Sequence, residues 1–313
     1  MQKSILILGA SGQIGTELTF ALREKYGNDR VIASDIREGG DELMASGPFE
    51  LLDATNYDAM EDVVVHYEIE EIYLMAAMLS ATAEKFPMRA WSLNMNSLFN
   101  VLNLAKEQKI NKLFWPSSIA VFGPNTQKEN TPQSAIMEPS TVYGISKQSG
   151  ERWCSYYYNK YGVDVRSVRY PGLISWKTLP GGGTTDYAVE IFHKAVAGVG
   201  YSCFLNPDTK LPMMFMDDAI RATIDLMESN AVNINIRSSY NLAAMSFTPA
   251  EIAKSIQKQI PGFRITYNPD FRQAIADSWP NSIDDSCATK DWGWQPGFNL
   301  EKTTEEMLKN LRK

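Results

Sequence analysis

Tyr143 and Lys147 stand four residues apart in "VYGISK", a spacing that puts both on one face of a helix. A phenol with its ordinary pKa of ~10 is a poor base at neutral pH. An ammonium beside it favours the phenolate and lowers that value, so the pair offers proton transfer. The same lysine can hydrogen-bond a ribose. A solvated helix face carrying a tyrosine and a lysine would show the same spacing, so the pair needs support from elsewhere. Ser118, in "PSSIAVFG", offers a hydroxyl at a strand end. Gly9, Gly12 and Gly15, in "ILILGASGQIGTEL", form a GxxGxxG turn between a strand and a helix. Glycine there allows a tight turn and a close backbone approach to a pyrophosphate, and the helix N-terminus offers N–H groups and a positive dipole end.

Asp35 ends the next strand, 20 residues past Gly15, where a carboxylate accepts from the hydroxyls of an adenine ribose. It would repel a 2′-phosphate, so NAD is favoured over NADP. Arg37 softens that preference, or is simply an exposed loop arginine. Asp53 ends the third strand and is either a partner of the adenine amino group or a cap for the helix beginning near Asn56. Ser11, Gln13 and Ile14 in the glycine turn, Ile36 beside Asp35 and Leu52 beside Asp53 complete this expected cofactor set.

These groups need a scaffold that gathers them at one edge. Strands are predicted at 4–9, 31–35, 49–53, 71–77, 112–118 and 164–171, with helices at 13–26, 57–67, 87–109 and 144–161. Such alternation implies an α/β, Rossmann-type, doubly wound parallel sheet. Past Pro171 the rhythm breaks. Helices are expected at 186–197, 216–229, 248–260, 284–291 and 300–312, and a strand at 238–243. The expected division is an NAD-binding domain over 1–172, completed by 214–243. A smaller, irregular C-terminal substrate-binding and lid region takes 173–213 and 244–313.

The chain has 313 residues, 44% hydrophobic and 21% charged, with a net charge of −7. These are the proportions of an ordinary globular protein. No basic stripe is present, which argues against nucleic acid. No stretch approaches the ~20 apolar residues of a membrane span. Three cysteines, far apart and odd in number, suggest free thiols in a reducing cytoplasm. Two histidines, with no close Cys or His spacing, argue against zinc, so no metal is expected.

The motifs above, with "LMAAM" (74–78), "LNMNSLFNVLNLA" (93–105) and "RYPGLIS" (169–175), resemble the extended short-chain dehydrogenase/reductase family over most of the chain. This is the group that includes nucleotide-sugar epimerases. The resemblance implies that Tyr143 and Lys147 are the acid/base pair and that Ser118 hydrogen-bonds the reacting oxygen. It implies that Asn94 lies beneath the nicotinamide side, that Ala76 and Ala77 line the ribose path, and that Met78 is among the cofactor-binding residues. It also places Tyr170, Pro171 and Leu173 near the nicotinamide amide, and implies dimerisation through the helices at 87–109 and 144–161. "WCSYYYNKYG" (153–162) is aromatic enough for such an interface.

The substrate is a separate question. Nucleotide-sugar members carry an arginine ahead of a "V-D-D"-type segment; here Lys210, Leu211 and Pro212 precede "MMFMDDA", with Asp217 and Asp218 kept. The diphosphate anchor is therefore in doubt, and a smaller substrate is expected. "PGGGTTDY" (180–187) is no phosphate cradle, because it has no cation and Asp186 would repel a phosphate. Its Thr184 and Thr185 either cap the next helix or touch substrate, or do both. With Asp186 and Ser80 they suit a zwitterion. "RYPGLISWKTLPGGGTTDYAVEIF" and "DSWPNSIDDSCATKDWGW" (277–294) are similar to the epimerase-like, zinc-independent L-threonine 3-dehydrogenase branch. That resemblance implies L-threonine as the small amino-acid substrate and NAD as the oxidant. Residues 178–187 are expected to close as a lid, Trp279 to cover the site, and Trp292 and Trp294 to pack. A nucleotide-sugar epimerase or dehydratase, and a dinucleotide-binding regulator without catalysis, are the competing expectations.

Overall fold

Short apolar runs flanked by turn residues become β1 (Ile5–Leu8), β2 (Val31–Asp35), β3 (Phe49–Leu51), β4 (Glu71–Leu74), β5 (Lys112–Phe114), the two-residue β6 (Ser117–Ser118) and β7 (Asp164–Arg166). The amphipathic segments between them become α1 (Gln13–Tyr26), α2 (Asp41–Ala45), α3 (Tyr57–His66), α4 (Ser80–Lys85), α5 (Pro87–Lys106) and α6 (Val142–Tyr161). In this computed structural model residues 3–312 are described, apart from Thr178, Pro180 and Gly182. The six-stranded main sheet runs β3-β2-β1-β4-β5-β7, every neighbouring pair parallel. The order turns outward in both directions from β1 and β4, which leaves a crevice at their carboxyl ends.

The second half adds β8 (Val168–Tyr170), β9 (Gly172–Ile174), α7 (Tyr187–Val196), β10 (Tyr201–Cys203), β11 (Leu211–Phe215), α8 (Met216–Glu228), β12 (Tyr240–Asn241) and β13 (Met245–Phe247). The chain ends through α9 (Pro249–Gln257), β14 (Ile265–Tyr267), α10 (Arg272–Ser278), α11 (Ser286–Trp292) and α12 (Leu300–Leu311). A second sheet, β12-β8-β6, continues the parallel ladder beyond β5 and β7. The strand expected over 112–118 breaks because Pro116 has no N–H to give a ladder. A third sheet pairs β11 with β9 and β13, so the stretch expected to be irregular after Pro171 contains a strand. β11 crosses the division expected between residues 213 and 214.

Side-chain alternation along β1 explains the two-sided core. Ile5 and Ile7 pack with Leu18 and Leu22 of α1 and Met216 and Ala219 of α8; Leu6 and Leu8 face Met60 and Val64 of α3 and Leu98 and Val101 of α5. A third cluster joins α7, α9 and α12 over β11. Cys154, Cys203 and Cys287 are free thiols. Among the described residues, no helix is long and apolar enough to cross a membrane, and no group of His, Cys, Asp and Glu is arranged to hold a metal.

Candidate active site

β1 delivers the glycine turn to the sheet edge. Gly9 has φ +90°, and a Cβ there would lie 2.5 Å from the Ala76 nitrogen; one on Gly15 would lie 2.1 Å from the Gly9 carbonyl oxygen. Only glycine permits both approaches. Gly12 is exposed and is the N-cap of α1, and among the described residues no side chain caps that helix. The first-turn N–H groups, which have no partner within a helix, are left for an anion.

Asp35 closes this turn, its carboxylate accepting from the Ser11 N–H at 3.1 Å and the Ile36 N–H at 2.8 Å. The Ser11 hydroxyl donates to the Arg37 carbonyl at 3.2 Å. Gly9, Gly12, Asp35, Ile36, Arg37, Leu52, Asp53, Ala76 and Ala77 line a cavity of about 270 Å³. Asp53 does not cap α3. It accepts from the Thr55 N–H and hydroxyl at 2.8 and 2.7 Å, and Asn56 takes the capping role. Asn94 lines neither this cavity nor its neighbour. It lies behind the wall and clamps the chain after β4, accepting from the Met78 N–H at 2.8 Å and donating to the Ser146 hydroxyl at 3.1 Å.

The adjoining cavity, about 160 Å³, shares Met75 and Ala77 with the first. Gln13, Ile14, Ser118, Tyr143, Lys147, Tyr170, Pro171 and Leu173 line it. Two joined cavities with a helix N-terminus between them suit an extended dinucleotide. The Tyr170 hydroxyl points the other way, to Thr223, so this residue offers its ring. Thr141 caps α6 by accepting from the Gly144 N–H at 3.1 Å, which starts the helix at Val142, one residue before Tyr143. Ser118 accepts from the Ala120 N–H at 3.2 Å and hydrogen-bonds Tyr143.

Lys147 is buried. Its Nζ donates to the Pro116 carbonyl at 2.5 Å, and lies 4.5 Å from the Trp115 ring centroid and 5.6 Å from that of Tyr143. Burial pushes this lysine down to about 7, opposed by Cys154 and Glu151. Burial pushes the Tyr143 phenol up to about 12, and the Ser118 hydrogen bond is what opposes it. The expectation that Lys147 lowers Tyr143 is therefore not met in the protein alone. Its ammonium is committed to Pro116, and desolvation outweighs what it offers the phenol.

The far wall is Ser80, Thr184, Thr185, Asp186 and Trp279. Neither threonine side chain caps α7. Asp186 is its N-cap, and that carboxylate accepts from the Gly183 N–H at 2.7 Å. Thr185 packs on Gly172. The Thr184 hydroxyl is buried and, among the described residues, has no hydrogen-bond partner. Trp279 is only 6% exposed. Its carbonyl accepts from Lys128 Nζ at 3.1 Å, and the residue is packed into the wall. Trp294 is buried and Trp292 packs against the same core. The lid expected over 178–187 includes Thr178, Pro180 and Gly182, which lie outside the described residues.

Sequence reasoning missed Met75, Leu79, Pro116, Ser117, Ile119, Gly172 and Gly183 on this cavity, and Ala54 and Leu93 on the first. Most are chain neighbours of expected site residues, so widening each strand end by a residue would have found them.

A family model, the NAD dependent epimerase/dehydratase family, matches residues 5–243. The chain belongs to that family, and a nicotinamide cofactor follows from it. An uncharacterized epimerase/dehydratase of Staphylococcus saprophyticus is 52% identical over 308 residues, 98% of this chain and 96% of that one. Among solved structures, the GalE-like L-threonine dehydrogenase from Cupriavidus necator in its holo form is 58% identical with a TM-score of 0.96, covering 98% of this chain and 99% of that one. A monomeric L-threonine 3-dehydrogenase from a metagenome is 52% identical with a TM-score of 0.94, covering 98% of both chains.

Proposed function

We propose that this protein is an NAD-dependent L-threonine 3-dehydrogenase that oxidises the β-hydroxyl of L-threonine to give L-2-amino-3-oxobutanoate, without zinc. One observation carries the reading: the wall facing Ser118 and Tyr143 is made of Ser80, Thr184, Thr185, Asp186 and Trp279, with no arginine among the described lining residues. The two L-threonine dehydrogenases to which the chain is similar support the same reading.

In this mechanism Tyr143 takes the proton of the β-hydroxyl, and Ser118 donates to the same oxygen and orients it. Lys147 holds the cofactor ribose. Thr184 and Thr185 face the substrate carboxylate, and Asp186 its ammonium. Gly9, Gly12, Gly15 and the first turn of α1 hold the pyrophosphate, while Asp35 holds the adenine ribose. Bound NAD supplies the hydride acceptor.

The test is threonine-dependent growth of NADH absorbance with purified protein. No growth with threonine, alongside interconversion of UDP-sugars without net NADH, would overturn the reading. The assembly is proposed to be a homodimer. Trp153, Tyr156 and Tyr161 on α6 are 40, 44 and 41% exposed, Trp91 and Met88 are exposed on the neighbouring α5, and a second copy is the occupant these two helices suit. Sedimentation at monomer mass would refute it.

A further inference from the structure

Glu151 lies one helical turn beyond Lys147 and is fully buried. Its Oε1 accepts from Ser117 Oγ at 2.6 Å and from Arg169 Nε at 2.8 Å, and its Oε2 accepts from Arg169 Nη2 at 2.8 Å. Ser117 adjoins Ser118 on β6, and Arg169 adjoins Tyr170 on β8, the paired strand, in the register Ser117↔Arg169 and Ser118↔Tyr170. One carboxylate thus fastens the helix of Tyr143 and Lys147 to both strands that bring the other groups.

The network continues. Arg169 Nη1 donates to Asn241 Oδ1 at 2.9 Å, and Asn241 Nδ2 donates to the carbonyls of Thr131 and Asp284, both at 3.1 Å. The Thr131 N–H bonds the Ser282 carbonyl at 2.9 Å, and the neighbouring Asn281 N–H bonds Lys128, whose side chain holds the Trp279 carbonyl. A polar path therefore joins Ser117 to the far wall. A buried ion pair is weak evidence of stability, because desolvation offsets most of the Coulomb gain and apolar replacements often do as well. Fixed geometry is a better account of this one.

We propose that Glu151 and Arg169 are positioning residues for the reaction: the pair sets Ser118 against Tyr143 and Lys147 and, through Asn241, seats the Trp279 wall. The choice of assay rests on the threonine reading; the positioning itself does not. The charges around Lys147 are few. Tyr143, Glu151 and Cys154 face it from its own helix, and burial pushes that thiol far up, so it is neutral. The Trp115 ring and Pro116 carbonyl face it from the end of β5, and Arg169 reaches it from β8 through Glu151.

Glu151→Gln leaves Arg169 uncompensated and disfavours the Lys147 ammonium. Arg169→Gln leaves Glu151 uncompensated and does the reverse. The pH limb governed by Lys147 should move down in the first variant and up in the second, which loss of packing alone would not produce. Misplacement of reacting groups should lower kcat of Glu151→Gln by about 10–100-fold per NADH-binding site, with NADH affinity within about twofold. Ser117→Ala keeps the ion pair, is the variant most certain to fold, and should lose about threefold to tenfold in kcat.

Wild-type kcat per NADH site in both Glu151→Gln and Ser117→Ala, or limbs that move together, would overturn the proposal. Crystal structures of wild type and Glu151→Gln read the Ser118–Tyr143 separation whatever the substrate. A lengthened separation supports positioning and an unchanged one overturns it. An inactive wild type would instead count against the threonine reading, and the structures alone would then decide this one.

Discussion

Around Gly9–Gly15 the ligand-facing atoms are backbone N–H groups at a helix end, whereas around Thr184 and Trp279 they are side chains on segments outside the main sheet. The first arrangement depends on two glycines that tolerate a near-contact and on strand order. The second depends on which hydroxyls and carboxylates occupy a few loop positions. A family can therefore keep its cofactor end while exchanging substrates, because changing the far wall leaves the sheet untouched. Between the two ends stand Ser118, Tyr143 and Lys147, held by elements of both sheets.

Four measurements would break or sharpen this contrast. Tyr143→Phe should lower kcat by about 10³-fold while NADH still binds, read by fluorescence titration; turnover near wild type would remove tyrosine from the mechanism. Asp35→Ala should weaken NAD by about 10–100-fold, the loss of hydrogen bonds to a charged acceptor, and narrow the preference over NADP, with KM for threonine little changed. Thr184→Val should act at the other end only. KM for threonine rises about tenfold, KM for NAD stays, and the ligand-free protein gains about 2 °C in Tm because a buried hydroxyl with no partner among the described residues is gone.

The smallest effect is in pH. Lys147 and Tyr143 titrate as a pair, and its reactive form carries one proton. With the lysine near 7 and the phenol near 12, the pair gains a second proton below about 7, so kcat/KM for threonine should fall as pH drops through that value. A flat profile between pH 6 and 8 would detach the pair from the rate.

The cofactor end was the legible one. GxxGxxG and Asp35 state their own geometry, and α1 and β2 fall where periodicity put them. Other features depend on contacts between distant parts of the chain. Asn94 reads as a cofactor residue by position, yet its side chain is turned to Met78 and Ser146. Thr184 and Thr185 look like caps because threonine often is one, but the turn at 183–186 hands that place to Asp186. Strands β9, β11 and β13 are short and lie in a Gly- and Pro-rich stretch or beside it, where local pattern cannot show that residue 213 will pair with residues 172 and 245. The raised phenol of Tyr143 follows from desolvation, which spacing alone does not reveal.

The bridge between Thr131 and Ile283, and the grip of Lys128 on Trp279, tie a late segment to an early loop. During synthesis the chain emerges from its N-terminus, and regions complete in sequence settle first. The six strands of the main sheet are all present by residue 166, and α8, which covers the Ile5 and Ile7 face, is present by residue 228. The substrate wall has to wait for residues 277–284. A chain ending after residue 243 would thus keep the glycine turn, Asp35 and α8 but lack the Trp279 wall.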